Sequence, residues 1–166
     1  MSVKLYSAWY CPFAQRAWMA LLYKQIDFDY IEVDPYRDTP WWREISRGLN
    51  LVPVLVVDPE TPGKTSTIVD STRVLEYLEE REPGSHPLFP ANPEARAEAR
   101  FWIDHINQSI VPYIYRFLEA DEPGDYRNES RDALVRGIEQ LMSGATDDGI
   151  YLGGKSINVL DLLLIP

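Results

Sequence analysis

Residues 10–16 read Tyr-Cys-Pro-Phe-Ala-Gln-Arg and hold the only cysteine of the chain. Thiolate is the attacking form in disulfide exchange. A cysteine between a strand end and the first turn of a helix meets unpaired backbone N–H groups, which favour an anion. Cys11 in that place is poised to attack a disulfide sulfur. In a two-cysteine redox motif the second thiol would stand where Ala14 stands, so no disulfide closes within the motif. A mixed disulfide formed at Cys11 must then be resolved by an outside thiol. The abundant cytosolic one is glutathione, a tripeptide with two carboxylates. The alternative use of a lone cysteine is as a small, inert, buried hydrophobe.

Two further stretches offer groups for such a peptide. Val52-Pro53 lies just before an apolar run. A cis proline there would turn the backbone of Val52 outward to pair with an extended peptide as a strand does, whereas a trans proline would simply start an edge strand. Asp70-Ser71 precedes a helical pattern. The Ser71 hydroxyl and neighbouring amides suit a carboxylate and Asp70 suits an ammonium group; plain helix capping accounts for the same residues.

The elements that must position these groups follow from periodicity. Val3, Leu5 and Ser7 alternate with Lys4 and Tyr6, a strand in period two. Residues 12–24 predict a helix, with Pro12 in its first position and Phe13, Ala17, Ala20 and Leu21 on one face. A second strand over 28–33 completes a strand–helix–strand unit, which favours a parallel pair. A short helix begins at "PWWREISRG" and stops at Gly48. The strand "VPVLVVD" follows, with "TSTIVD" as its hairpin partner across "PETPGK". Then comes a helix from Ser71, its plausible cap, with Val74, Leu75 and Leu78 inward. The order is β-α-β-α-β-β-α.

A proline-rich stretch marks a linker over 83–92, dividing a domain over 1–82 from one over 93–166. Beyond it the pattern is helical only: one long amphipathic run over 93–120 opened by Asn92 and Pro93, a helix over roughly 129–143, and a final apolar segment. Asn158 and Asp161 there have the spacing of a capping box.

Composition narrows the partners. Sixteen Lys and Arg against 26 Asp and Glu leave a net charge of −10, which argues against nucleic acid or an anionic membrane surface. One cysteine and two histidines, His86 and His105, give no metal-ligand spacing. No apolar run has the ~18 residues that span a bilayer, and the amino terminus reads as a strand rather than a leader. The expectation is an acidic, soluble, cytoplasmic protein without a metal.

"CPFAQRAW", "LVPVL", "DS" and "YLGGKSINVLD", in this order, resemble the cytosolic glutathione transferases, most closely their cysteine-containing omega and lambda classes. The resemblance implies a thioredoxin-like α/β domain followed by an all-α domain. It implies glutathione as co-substrate, Cys11 as the catalytic cysteine, Phe13 beside the thiol, and Val52 and Pro53 at the cis-proline site. Asp70 and Ser71 match the pair that grips the γ-glutamyl end. The activity it implies is glutathione-dependent thiol transfer or reduction, including deglutathionylation and dehydroascorbate reduction. The alternatives are conjugation of glutathione to electrophiles, with Tyr6, Ser7 or Tyr10 as hydroxyl donor, and a non-catalytic binding or assembly module. In omega-like relatives a lysine meets the glycyl carboxylate; here Thr39 stands in its place, with Arg37 or Arg43 as substitutes. Leu51 stands where lambda-like relatives have lysine, which favours the omega-like side. The resemblance allows a homodimer through the 71–80 and 93–120 helices, while lambda-like relatives are often monomeric. The family continues for several more helices beyond Pro166, so the resemblance implies a chain shortened at its C-terminus, by truncation or as a natural short form.

Overall fold

A computed structural model of the chain describes residues 2–58, 64–84, 86–120, 124–144 and 149–164. The turn expected across 59–64 lies outside the described residues except for Lys64, as does the last apolar residue, Ile165. Two compact units divide the chain, one running to Leu88 and one spanning Phe89–Leu164.

In the first unit β1 (Ser2–Ser7), α1 (Pro12–Tyr23), β2 (Asp29–Glu32), α2 (Pro40–Ile45), β3 (Val54–Asp58), β4 (Ser66–Val69) and α3 (Ser71–Arg81) follow in the expected order. They form one four-stranded sheet, β2-β1-β3-β4. β1 and β2 are parallel, pairing Leu5 with Tyr30. β3 runs antiparallel to β1, with Leu55 opposite Leu5, and β4 is antiparallel to β3, with Val69 opposite Val54. The alternation in β1 buries Val3, Leu5 and Ser7 and leaves Lys4 and Tyr6 half-buried, the signature of a sheet covered more fully on one face.

Two local expectations are corrected. The buried face of α1 carries Ala14, Arg16, Ala17, Ala20 and Leu21, so Ala14 takes the inward place assigned to Phe13. Phe13 is half-buried, with the Arg16 guanidinium 4.7 Å from its ring centre, a stacking that favours a cation over an aromatic face. The cap of α3 is Asp70, not Ser71: Oδ1 of Asp70 accepts hydrogen bonds from the backbone N–H groups of Thr72 and Arg73, at 2.9 and 3.2 Å. Asp70 holds φ at +84°, outside the helix, so Ser71 becomes the first helical residue and is buried.

The second unit is helical: α4 (Pro93–His105), a π-helical turn (Ile106–Ile110), α5 (Val111–Glu119), α6 (Asp125–Gly144) and α7 (Val159–Leu164). Asn92 caps α4 as expected, its Oδ1 accepting from the Ala95 N–H at 2.9 Å. The run expected to be one helix is split because Pro112 has no N–H to donate and its ring crowds the preceding turn; the π-helical turn just before it absorbs that misfit. α6 begins a turn earlier than expected, with Asp125 in its first turn, where a carboxylate meets the positive end of the helix dipole. The capping box at α7 is present. Asn158 Oδ1 accepts from the Leu160 N–H at 2.7 Å, and Asp161 Oδ2 accepts from the Asn158 N–H at 2.9 Å.

α6 approaches the π-helical turn closely at Gly137, whose carbonyl lies 2.8 Å from His105 Nε2. A Cβ added at Gly137 would stand 2.6 Å from the Ser109 carbonyl oxygen and 3.1 Å from Ile110 Cγ1. Backbone cannot swing aside as a side-chain tip can. Gly137→Ala is therefore expected to destabilise the protein by about 1–3 kcal/mol despite alanine's better helix propensity, as read by urea unfolding. An unchanged midpoint would contradict this contact.

Candidate functional site

Cys11 is the N-cap residue of α1, with extended backbone angles and no side-chain capping bond. Its N–H donates to the Ala8 carbonyl at 2.9 Å, and its own carbonyl accepts from the Gln15 N–H at 3.0 Å. The loop before it is braced from both ends. Gln15 Nε2 donates to the Trp9 carbonyl at 2.7 Å, and the Trp9 N–H reaches both carboxylate oxygens of Glu32 at 3.3 Å. Cys11 is half-buried rather than sealed. It packs against a buried cluster of Ala8, Ala14, Val33, Trp42, Val52 and Val54.

That cluster gathers the other sequence-derived positions. Val52 belongs to it, and the Val52–Pro53 peptide bond is cis. Among the described residues neither the N–H nor the C=O of Val52 has a hydrogen-bond partner. Val69 packs against the same cluster from β4, so Asp70 and Ser71, the next two residues, follow at its edge. Phe13 lies two residues beyond Cys11 under Arg16.

A cavity of about 340 Å³ opens beside the cluster, lined by Glu32, Asp34, Arg37, Thr39, Trp41 and Trp42 among others. It shares Val33 and Trp42 with the cluster that supports Cys11. Trp42 is 1% exposed, and its indole N–H, like the Thr39 hydroxyl, is buried with no hydrogen-bond partner among the described residues. Buried donors without acceptors are costly and rare. The two arginines weighed from the sequence separate here. Arg43 is bound in a fork to Asp38, which also accepts from Asn50 Nδ2 at 3.1 Å; hydrogen bonds from Arg43 and then Asn50 hold the Asp38 carboxyl below its ordinary range. Arg37 lines the cavity.

Sequence reasoning missed Trp42. Trp42, Ile45 and Ser46 recur at i, i+3 and i+4, and this spacing marks the inward face of α2. Tyr10, next to the thiol, is exposed. Desolvation first, then the charges of Asp34, Tyr36, Cys11 and Glu32, push its phenol above the ordinary value, so it stays protonated and able to donate. Among the described residues no cluster of His, Cys, Asp and Glu is arranged to hold a metal ion, and no helix is long and apolar enough to cross a membrane.

Comparison with known proteins bears on this arrangement. A family model for the glutathione S-transferase N-terminal domain matches residues 5–86. Glutathione S-transferase U1 of Arabidopsis thaliana is 32% identical over 163 residues, covering 98% of this chain and 68% of the plant protein. Glutathione S-transferase omega-1 of Mus musculus is 30% identical over 164 residues, covering 99% of this chain and 65% of its own length. The crystal structure of glutathione transferase Omega 3C from Trametes versicolor matches with a TM-score of 0.84 at 31% identity, covering 99% of this chain and 66% of that one. The chain thus spans about two thirds of the length of these relatives. Its architecture, a thioredoxin-like unit followed by a helical one, is theirs. By sequence and by fold, the chain belongs to the glutathione S-transferase family.

Proposed function

We infer that the protein is a glutathione-dependent thiol transferase of the omega-like kind, working through a mixed disulfide at Cys11. The observation that carries this reading is the half-exposed thiol at the N-cap of α1, on the same cluster as the bend at Val52. The Cys11 thiolate attacks the glutathionyl sulfur of a mixed disulfide substrate. One S–S bond forms, the substrate S–S bond breaks, and the substrate leaves as a thiolate that takes up a proton. A second glutathione thiolate then attacks the enzyme-bound sulfur, releasing glutathione disulfide and restoring Cys11. Two electrons pass from glutathione to the substrate, and the enzyme ends as it began.

The peptide is held by groups around the cluster. The Val52 N–H and C=O pair with its cysteinyl backbone as a strand would, and Pro53 fixes the bend. The γ-glutamyl end meets the Ser71 hydroxyl and N–H through its carboxylate, the next two amides being taken by Asp70. Its ammonium meets Asp70 through Oδ2, Oδ1 being the atom that caps α3. Phe13 supplies an apolar surface beside the sulfur. The glycyl carboxylate enters the cavity beside Trp42, accepting from Arg37. This assigns to Arg37 the contact that omega-like relatives make with a lysine. Arg37→Gln is expected to raise KM for glutathione about tenfold with little change in kcat. Arg43→Gln, which breaks only the pair with Asp38, is expected to leave KM within about twofold. The reverse ranking would displace Arg37 from this role.

Exposure to glutathione disulfide followed by mass spectrometry tests the central step. One glutathionyl adduct on Cys11, removed by excess glutathione, is expected; an unmodified protein would contradict it. A second reading, conjugation to electrophiles, is favoured by one observation: Tyr10, next to Cys11 in the chain, is exposed, and its phenol can donate to a bound glutathione thiolate. The 32% identity to a plant transferase of another class fits this reading as well as the first. Conjugation of a chloronitrobenzene that survives in Cys11→Ala and falls in Tyr10→Phe would select it.

A further inference from the structure

Cys11 ends a tight turn that apolar burial does not hold. Its N–H closes the turn onto the Ala8 carbonyl at 2.9 Å, and the two residues between them, Trp9 and Tyr10, are 67% and 45% exposed. A corner with few buried contacts is free to rock, yet both backbone groups of Trp9 are taken. Its N–H donates to the two carboxylate oxygens of Glu32, at 3.3 Å each, and its carbonyl accepts from Gln15 Nε2 at 2.7 Å. One residue is thereby clamped from β2 on one side and from α1 on the other.

Glu32 is itself held. It is the last residue of β2, opposite Ser7 at the end of β1, beside the turn that starts at Ala8. Tyr30 lies on the same face of β2, since side chains alternate along a strand, and its phenol donates to Glu32 Oε2 at 2.5 Å. Burial first, then the hydrogen bond to Glu32, push that phenol above its ordinary value, so it remains a donor. The Trp18 ring of α1 packs against Tyr30 with centres 4.9 Å apart. The contacts thus run from α1 through Trp18, Tyr30, Glu32 and Trp9 back to α1 at Gln15, a closed circuit around the start of the helix that carries the thiol.

We propose that Glu32 is a positioning residue for thiol transfer: through the Trp9 N–H it fixes the turn that aims the Cys11 sulfur at a disulfide, with Gln15 holding the other side of the same residue. The proposal rests on the thiol-transfer reading. Attack on a disulfide is directional, and a reacting atom misplaced by about 1 Å loses rate by up to about a hundredfold. Glutathione is held by other groups, so the loss falls on kcat. The charge of Glu32 is not what the turn needs, because a carboxylate opposes a nearby thiolate. What the turn needs is an oxygen that accepts from the Trp9 N–H.

Turnover of the mixed disulfide of glutathione and 2-mercaptoethanol by the intact chain tests this. Glu32→Leu is expected to lower kcat about tenfold and to leave KM for glutathione within about twofold. Glu32→Gln removes the charge but keeps an amide oxygen for the Trp9 N–H, and is expected to retain kcat within about twofold. Gln15→Leu, which frees the other side of Trp9 and keeps the folding test independent of Glu32, is expected to lose kcat as Glu32→Leu does. The double variant Glu32→Leu/Gln15→Leu should lose less than the product of the two, since both changes free one residue. Unchanged kcat in Glu32→Leu or Gln15→Leu, equal losses in Glu32→Gln and Glu32→Leu, or a rise in KM with kcat intact would overturn the proposal. Activity that survives in Cys11→Ser would overturn the thiol-transfer reading and this one together. An inactive Cys11→Ser beside an unimpaired Glu32→Leu overturns this one alone.

Discussion

Replacing Cys11 by serine should abolish deglutathionylation while leaving the protein as stable as before, or slightly more so. The expected loss in kcat/KM is at least about a thousandfold. Serine is close in size, but its hydroxyl is not ionised near neutrality, and no S–S bond can form at oxygen. The stability half of the result comes from the same position. Cys11 is the N-cap of α1 and makes no side-chain capping bond. Serine at an N-cap accepts from the backbone N–H two or three residues on, an interaction of about 0.5–1 kcal/mol. Lost turnover together with a retained or raised melting temperature would therefore separate a chemical role from a structural one. Cys11→Ala, which removes the sulfur and offers no cap, is expected to lose the same activity without the gain in stability. Intact reductase activity in either variant would remove Cys11 from the mechanism. If Cys11→Ser gains conjugating activity as reductase activity disappears, a hydroxyl at this place is sufficient to steady a bound glutathione thiolate. The family would then owe its choice of chemistry here largely to one atom.

Much of this site could be read from residue order because its chemistry is local. A strand in period two, then Cys-Pro, then a helix places the thiol at a helix start whatever the rest of the chain does. The β-α-β-α-β-β-α order was legible for the same reason, since Pro12, Pro40, Gly48 and Pro53 punctuate the first unit. What stayed hidden depends on rotation or on partners distant in the chain. α1 is apolar on several sides, with Trp18, Met19 and Leu22 outside the buried face, so its pattern could not decide between Phe13 and Ala14. Asp70 and Ser71 are both good caps, and only the backbone angle of +84° at Asp70 decides which of them begins the helix. Arg37 and Arg43 have the same chemistry. They differ because Asp38 lies within reach of one and holds it. The cis bond at Val52–Pro53 followed from the family resemblance, as base rates alone favour trans.

The least legible feature has the second largest expected effect. Lys24, at the C-terminal end of α1, and Glu79, in α3, are 55 residues apart and form an ion pair of 2.8 Å, with side chains 0% and 4% exposed. The Lys24 ammonium also donates to the carbonyls of Glu82 and His86, at 3.0 and 3.3 Å. Glu79 Oε2 accepts from the Leu88 N–H at 2.9 Å. The pair thus ties α1 to α3 and fastens the stretch after α3 as far as Leu88. Lys24→Met keeps the volume but strands a buried carboxylate; Glu79→Met strands a buried ammonium. Each is expected to cost about 3–5 kcal/mol, a large share of the ~5–15 kcal/mol that holds a domain of this kind folded. Lys24→Met/Glu79→Met removes both charges and should cost less than the sum of the single changes. Part of the loss remains, because the Leu88 N–H forfeits its acceptor at about 1–3 kcal/mol. Urea unfolding of the three variants measures this directly. Additive single and double effects would mean that the two charges do not depend on each other, against their geometry. A strong negative coupling would show that α1, which bears the nucleophile at one end, is anchored at the other by a charge pair rather than by its apolar face alone.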